Sequence, residues 1–149
     1  MTNTQSTSDI VTRHQVTDDR RVNHAAEIFG IHFSLRLEPY VYAVTGKLAR
    51  NYTGGYWEFY TLSNGGFYMA PRFERTFHVI SENSFEGDLS ADALGITACL
   101  YGYSHLSFGG MLSLDSDEGF AETCAWQYHW LRDYMLGHPE AAAILGAID

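Results

Sequence analysis

Residues 51–71 constrain the fold of this chain more strongly than any other segment. Two runs of aromatic and β-favouring residues, 56–62 and 67–70, flank the turn-forming sequence Ser-Asn-Gly-Gly at 63–66. Asparagine and glycine tolerate the positive backbone dihedral angles that tight turns between antiparallel strands require. The segment therefore predicts a β-hairpin.

The predicted hairpin carries large apolar side chains on both of its faces. Successive residues of a strand point to opposite sides of the sheet, so the first run places two sets of side chains on two faces. One set is Trp57, Phe59 and Thr61, and the other is Tyr56, Glu58, Tyr60 and Leu62. Either helices cover both faces, or one aromatic face remains open for a partner.

The rest of the chain alternates helical and extended patterns around this hairpin. Apolar residues at helical spacing predict helices over 18–29, 39–51, 91–105, 116–136 and 140–145. Alternating patterns predict an extended segment at 33–37 and a third strand at 76–81, with an acidic loop at 83–88. We therefore expect a single α+β domain over residues 17–149, in which four to five helices pack on a three-stranded antiparallel meander. Residues 1–16 show no periodicity and are expected to form a flexible tail.

Composition supports a folded globule. The chain has 149 residues, of which 46% are hydrophobic and 18% are charged, a balance opposite to that of disordered segments. No apolar run approaches the roughly 20 residues that span a bilayer, and the N-terminus lacks a signal-peptide pattern. These observations predict a cytoplasmic protein. Cys99 and Cys124 lie in apolar stretches without a CxxC motif, which predicts two buried free thiols.

The net charge of −9 is distributed unevenly. Residues 1–75 carry eight basic and seven acidic side chains, whereas residues 76–149 carry one basic and eleven acidic ones. An acidic second half repels phosphates and argues against direct binding to nucleic acid. It also raises the alternative that the protein imitates DNA. A mimic about 40 Å long would need on the order of 20 clustered negative charges, so these dispersed acids allow only a local acidic face.

Motifs that carry chemistry are missing from the sequence. The seven histidines form no His-Glu-x-x-His motif, and the glycine pairs lack the lysine of a phosphate-binding loop. No GxSxG elbow is present. Glu58, Glu86 and Asp88 offer carboxylates for glycoside cleavage, although sequence gives no separation between them. We therefore expect no catalytic residue, metal or cofactor, and keep a small hydrolase or carbohydrate-binding module as an alternative.

Three segments resemble the ArdB/KlcA antirestriction family. The first is the hairpin sequence at 51–71, the second is Ser-Phe-Glu-Gly-Asp-Leu-Ser-Ala-Asp-Ala-Leu-Gly-Ile at 84–96, and the third combines His-Pro-Glu at 138–140 with the terminal Ala-Ile-Asp at 147–149. The resemblance implies a protein of plasmids and other mobile elements that blocks host restriction of incoming DNA, chiefly by Type I enzymes. How the family does this is not given by the motifs, and our hypothesis is that the protein contacts the Type I restriction-modification complex or an associated host factor.

An aromatic hairpin and an acidic loop suit recognition of another protein, because tyrosine is enriched at interface hot spots. The candidate partner-binding residues are Tyr56, Tyr60, Asn64, Tyr68, Glu86 and Asp88. The main alternative is a partial DNA mimic that occupies the DNA groove of the restriction enzyme. Binding of single-stranded nucleic acid by base stacking is a weaker alternative, since the basic groove of such sites is missing.

Overall fold

A computed structural model describes residues 10–109 and 118–149. The strands in this part of the chain are β1 (Arg13–Gln15), β2 (Trp57–Leu62), β3 (Phe67–Pro71), β4 (Thr76–Ile80) and β5 (Glu86–Ser90). The α-helices are α1 (Arg21–Phe29), α2 (Glu38–Leu48), α3 (Ala91–Gly109), α4 (Glu118–Met135) and α5 (Ala141–Ile148). A 3₁₀ turn at Asp18–Arg20 precedes α1, and a π-helical turn at Phe33–Leu37 precedes α2. The α+β class is confirmed.

The predicted hairpin is confirmed in detail. Strands β2 and β3 pair antiparallel, with Trp57 opposite Pro71 and Thr61 opposite Phe67. The turn closes through a 2.8 Å hydrogen bond from the Leu62 amide to the Gly66 carbonyl. Gly65 has a φ of 102°, a conformation that side chains other than glycine and asparagine rarely adopt. The turn therefore needs the residue types from which it was predicted.

The third strand of this sheet is a different segment from the predicted one. Strand β1 pairs antiparallel with β2, giving the order β1-β2-β3. Residues 13–15, assigned above to a flexible tail, are therefore part of the sheet. Their side chains are polar and exposed, so no apolar alternation marks them as a strand. The prediction for residues 1–9 lies outside the described residues.

The segment predicted as the third strand forms a separate two-stranded sheet. Strand β4 pairs antiparallel with β5, with Thr76 opposite Ser90 and Ile80 opposite Glu86. The acidic segment predicted as a loop at 83–88 thus contains the beginning of β5. Strand β3 is also adjacent to β4 in sequence, across residues 72–75, so the length of the connection does not by itself select β5 as the partner. The sequence pattern identified β4 as a strand but not the strand with which it pairs.

The extended prediction at 33–37 is wrong, because the segment is helical. Phe33 and Leu37 are buried, whereas Leu35 between them is exposed. A strand would place all three side chains on one face, while a helical turn brings residues four apart together. The predicted helices elsewhere are confirmed with shifts at their ends. Residues 116 and 117, where the fourth predicted helix begins, lie outside the described residues.

Helix α3 is the centre of the core. Nearly every residue from Ala93 to Leu100 is buried, and the helix packs on β3, α2, α4 and α5. Ser90 caps its N-terminus through a 3.1 Å hydrogen bond from the Ala93 amide to the Ser90 hydroxyl. The two cysteines are buried free thiols, which confirms that prediction. No helix of the described residues is long and apolar enough to cross a membrane.

Candidate functional site

The structure divides the six candidate contact residues between two surfaces. Four of them lie on the hairpin formed by β2, β3 and their flanks, and two lie on β5 of the separate sheet. The hairpin residues are Tyr56, Tyr60, Asn64 and Tyr68, and the others are Glu86 and Asp88. The predicted residues therefore do not form one site.

Tyr56 lies on the surface at the start of the hairpin and is 38% exposed. Its ring is sandwiched by the guanidinium groups of Arg21 and Arg72, each 4.4 Å from the ring centroid. Its hydroxyl donates a 2.8 Å hydrogen bond to Asp18, and Arg72 also pairs with Glu58. This arrangement holds an aromatic ring and two cations in fixed positions, which is a composition typical of protein contact surfaces.

Tyr60 and Tyr68 stack on one another with ring centroids 4.9 Å apart. Tyr60 is half-buried, and the guanidinium of Arg13 lies 4.4 Å from its centroid. Tyr68 is completely buried, so it is not available to a partner. The ring of Tyr134 in α4 lies on the Tyr68 ring with centroids 5.8 Å apart, and the Tyr68 hydroxyl bonds to Asp92. The burial of Tyr68 therefore contradicts its prediction as a direct contact residue.

Asn64 supports the hairpin turn. Its Oδ1 accepts a 3.0 Å hydrogen bond from the Gly66 amide, and its Nδ2 donates a 3.0 Å hydrogen bond to the carbonyl of Trp130 in α4. Both ends of the amide are therefore used within the protein. Asn64 therefore holds the turn against α4, and a substitution at Asn64 would affect partner binding by displacing the turn.

Glu86 and Asp88 are exposed and flank His78 on the neighbouring strand. The imidazole Nδ1 lies 2.9 Å from Asp88, and Nε2 lies 2.7 Å from Glu86. Hydrogen bonds to Asp88 and Glu86 raise the pKa of His78 above its ordinary value. Both ring nitrogens donate only in the imidazolium form, so the pair of carboxylates favours a charged histidine.

A partly buried polar network joins β1, β3, α3 and the segment before α5, with the Arg13 and Asp92 side chains 40% and 27% exposed. Asp92 Oδ1 accepts hydrogen bonds from Arg13 Nη1 at 2.7 Å and from the Tyr68 hydroxyl at 2.8 Å. Asp92 Oδ2 lies 2.8 Å from His138 Nε2. Burial alone would raise the pKa of Asp92, but the bonds from His138 and Tyr68 and the charge of Arg13 hold that pKa below its usual value.

Sequence reasoning did not identify this network. Its only signals were the two segments that carry the family resemblance, since Asp92 lies in 84–96 and His138 begins 138–140. The same segments contribute a second link, in which Ser90 donates through its amide at 2.9 Å and its hydroxyl at 2.5 Å to the Glu140 carboxylate. The resemblance motifs therefore hold strand β5, helix α3 and the C-terminal segment together.

An open cleft of about 490 Å³ lies beside the network. Its charged lining residues are Arg13, Glu58, Arg72, Glu74 and Asp92. Most of these charges are compensated within the protein, because Arg13 pairs with Asp92 and Arg72 pairs with Glu58. The cleft thus presents paired charges and aromatic edges, an arrangement suited to a polar contact with another protein.

The carboxylates considered for glycoside cleavage occupy separate sheets. Glu58 lies on β2 and pairs with Arg72, whereas Glu86 and Asp88 lie on β5 and flank His78. Each of these three carboxylates is bound to a local cation or imidazole, and Glu58 lies on a different sheet from the other two. This geometry gives the hydrolase alternative no support.

Comparisons with known proteins agree with the resemblance. The family model for Antirestriction protein matches residues 50–149. An antirestriction protein KlcA of Escherichia coli is 40% identical over 152 residues, covering 100% of both chains. A second E. coli KlcA is 39% identical over 140 residues, covering 93% of this chain and 95% of that protein.

A solved structure is also similar over almost the whole chain. It is 40% identical to this chain and superposes with a TM-score of 0.83. The match covers 93% of this chain and 95% of the chain in that structure. The structure belongs to the KlcA and ArdB proteins, which are described as having a novel fold and antirestriction activity against Type I DNA restriction systems in vivo but not in vitro. Sequence, family model and fold all agree, and this chain belongs to the antirestriction protein family.

Proposed function

We propose that this protein acts in the cytoplasm to protect incoming plasmid or mobile-element DNA by inhibiting host Type I restriction, without catalysis. The observation that carries the proposal is the likeness to the KlcA and ArdB structure, at 40% identity and a TM-score of 0.83 over 93% of the chain. Activity against Type I systems in vivo is described for those proteins.

Inhibition through protein contact fits the observations better than DNA mimicry does. The KlcA and ArdB activity is described in vivo but not in vitro, and simple competition for a DNA groove would also operate in a purified assay. Several acids of this chain are bound internally, among them Asp92 by Arg13 and Glu58 by Arg72. A mimic needs clustered and unpaired negative charge at about one charge per 1.7 Å of duplex. The same in vitro result weighs against a contact that inhibits the isolated enzyme, so we favour contact with a host factor associated with the restriction complex, or with the complex as it exists in the cell.

The accessible candidates for this contact form two separate surfaces. One comprises Tyr56 and the exposed edge of Tyr60, and the other comprises Glu86 and Asp88. Tyrosine flanked by arginines is frequent at interface hot spots, whereas exposed carboxylates contribute mainly to orientation and association rate. Because the two surfaces belong to different sheets, substitutions at one leave the other intact and test each surface separately.

The function is tested by the plating efficiency of unmodified phage on a Type I restricting strain that expresses the protein. We expect efficiency to rise towards that on a strain without the restriction genes. Phage already modified by the host provides the control for effects unrelated to restriction. Unchanged restriction, with the folded protein present in the cells, would remove the assignment.

The contact mechanism is tested by comparing this result with DNA cleavage by purified Type I enzyme. We expect protection in cells and no salt-sensitive competition with DNA in the purified reaction. Competition that weakens as salt concentration rises would instead support the mimic. In cells, Tyr56→Ala tests the hairpin surface, and Glu86→Gln combined with Asp88→Asn tests the surface on β5.

A further inference from the structure

Helix α4 carries two tryptophans stacked on its outer side. The rings of Trp126 and Trp130 have centroids 5.6 Å apart and an interplanar angle of 29°. Trp126 is 55% exposed. An indole ring with this exposure leaves apolar surface in contact with water. An exposed aromatic pair on a folded domain commonly marks a contact surface.

The hairpin turn packs against Trp130, the inner member of the tryptophan pair. Asn64 donates to the Trp130 carbonyl at 3.0 Å, and Gln127 Nε2 donates to the Gly65 carbonyl at 3.2 Å. A Cβ atom at Gly66 would lie 3.0 Å from the Trp130 Cβ, so the absence of a side chain there permits close packing. The turn therefore supports Trp130, and Trp130 supports Trp126. A ring that is already ordered loses little conformational freedom when a partner binds.

Two carboxylates share the helix face with the tryptophans. Glu122 precedes Trp126 by four residues, and Asp133 follows Trp130 by three residues, so all four side chains lie along one side of α4. Glu122 and Asp133 are exposed. Among the described residues neither has an ion pair, and the basic side chain nearest in sequence, Arg132, lies 3.7 Å from Asp149. We call these four residues the tryptophan face.

We propose that the tryptophan face binds a basic patch on a partner protein, with arginine or lysine side chains lying over the indole rings and pairing with Glu122 and Asp133. The inference rests on the proposed function and adds a contact surface to it. Tryptophan is the side chain that attracts cations most strongly through its ring face. The flanking carboxylates complement the same cations and add electrostatic steering.

Charge decides between a protein partner and a nucleic acid. Base stacking on tryptophans would require a basic groove to hold the phosphates. The tryptophan face instead carries carboxylates, in a half of the chain with one basic and eleven acidic residues. Phosphates would be repelled, whereas a basic protein surface gains both the aromatic and the ionic contacts.

Protection of unmodified phage is the first test. We expect Trp126→Ala to lower protection at least ten-fold, and Glu122→Lys with Asp133→Lys to lower it similarly by reversing the charge. The matched controls are Phe108→Ala, which removes another exposed aromatic side chain, and Glu27→Lys, which reverses an exposed charge on α1. Both controls should protect as the wild type does. The variants should also unfold at temperatures close to that of the wild type.

Two failures are distinguishable in this assay. If the wild-type protein gives no protection, the proposed function itself fails. If the wild type protects and the folded Trp126→Ala and charge-reversed variants protect equally well, the tryptophan face is not the contact and the inference is overturned.

A photo-crosslinking amino acid, benzoylphenylalanine, tests the contact directly. It is introduced at position 126, or at position 108 as the control, in cells that carry the Type I system. We expect a crosslinked polypeptide at position 126 only, with the attached peptide containing arginine or lysine, and its loss when Glu122→Lys and Asp133→Lys are added. A crosslink to nucleic acid, a crosslink that persists after charge reversal, or no crosslink at 126 would each overturn the proposal.

Discussion

The imidazole of His138 donates a hydrogen bond from Nε2 to Oδ2 of Asp92 across 2.8 Å. The other ring nitrogen, Nδ1, accepts a 3.0 Å hydrogen bond from the Glu140 amide, which fixes the proton of the neutral ring on Nε2. Asp92 lies in the first turn of helix α3, and His138 precedes α5. The pair therefore fastens the C-terminal segment to the first turn of the central helix, while Arg13 and Tyr68 bind the other oxygen of the same carboxylate.

Replacing this carboxylate by an amide should destabilise the fold. Asp92→Asn places an amide donor opposite the imidazole donor and removes the negative charge beside Arg13. We expect a loss of about 2 kcal/mol in the free energy of unfolding, as for partly buried hydrogen bonds to a charged group, measured by urea denaturation at neutral pH. Asp19→Asn, at an exposed position, is the control and should change stability by less than about 0.5 kcal/mol. Equal stabilities would show that the network does not stabilise the fold.

The same network predicts the direction of the pH dependence. The pKa of Asp92 is held below its usual value in the folded protein, so the folded state binds fewer protons than the unfolded state between the two pKa values. The stability contributed by the Asp92 carboxylate is therefore complete above the unfolded pKa of about 3.9 and is lost as pH falls through the folded pKa. We expect the stability difference between wild type and Asp92→Asn to be constant near pH 6 and to shrink below about pH 4. A difference that instead grows on acidification would contradict this assignment.

Helix α3 and strand β3 approach too closely at Gly95 for any side chain. A Cβ atom there would lie 2.4 Å from the Ala70 Cβ and 2.5 Å from the Met69 carbonyl oxygen. Gly95→Ala should therefore cost about 3 kcal/mol or prevent folding, because backbone atoms would have to move. Gly46→Ala in helix α2 is the matched control, since no atom lies within 4 Å of the position that a Cβ atom at residue 46 would occupy. The control should raise the free energy of unfolding by up to about 1 kcal/mol. Thermal unfolding of the two variants checks that Gly95→Ala destabilises the fold and that Gly46→Ala stabilises it.

The buried hydroxyl of Tyr103 bonds to a strand carbonyl. It donates to the Phe67 carbonyl oxygen at 2.6 Å, and burial raises the pKa of Tyr103 well above its ordinary value. Tyr103→Phe leaves that carbonyl without its donor, so we expect a loss of about 1–2 kcal/mol, measured by chemical denaturation. Tyr56→Phe removes a hydroxyl that bonds to Asp18 on the surface and should have a smaller effect. If Tyr56→Phe lost more unfolding free energy than Tyr103→Phe, the expectation that the buried hydroxyl contributes more to stability would be wrong.

His78 should titrate above the ordinary histidine value of about 6.5. The hydrogen bonds to Asp88 and Glu86 raise its pKa, so its contribution to stability is present below the unfolded pKa and is lost as pH rises through the folded pKa. NMR titration of the ring protons measures this directly. Asp88→Asn and Glu86→Gln should each lower the observed pKa, Asp88→Asn more strongly. An unchanged titration in both variants would show that the carboxylates do not hold the imidazolium.

Local patterns were sufficient to predict most of the secondary structure. The turn at 63–66 and the caps and apolar spacing of the helices depend on residues only a few positions apart, and those elements are confirmed. The error at 33–37 shows the limit of such patterns. A short apolar alternation fits both a strand and a helical turn, and only the burial of Phe33 and Leu37 with Leu35 exposed decides between them.

The candidate site was harder to predict than the fold. Residue type correctly indicated Tyr56 as an exposed aromatic side chain. It could not show that Tyr68 is buried, that Asn64 is engaged with α4, or that Asp92 and His138 meet. Those contacts depend on which helices and strands pack on each face of the sheet, and patterns within a single segment do not predict such packing.

The sequence by itself determined the hairpin, the helices, the two buried thiols and the family, because backbone propensity and residue spacing act within single segments. Only the tertiary structure decided that residues 13–15 complete the sheet and that Asp92 joins Arg13, Tyr68 and His138. The physical reason is that strand pairing and buried charge compensation are contacts between segments distant in the chain. Their partners are selected by the packing of the whole domain.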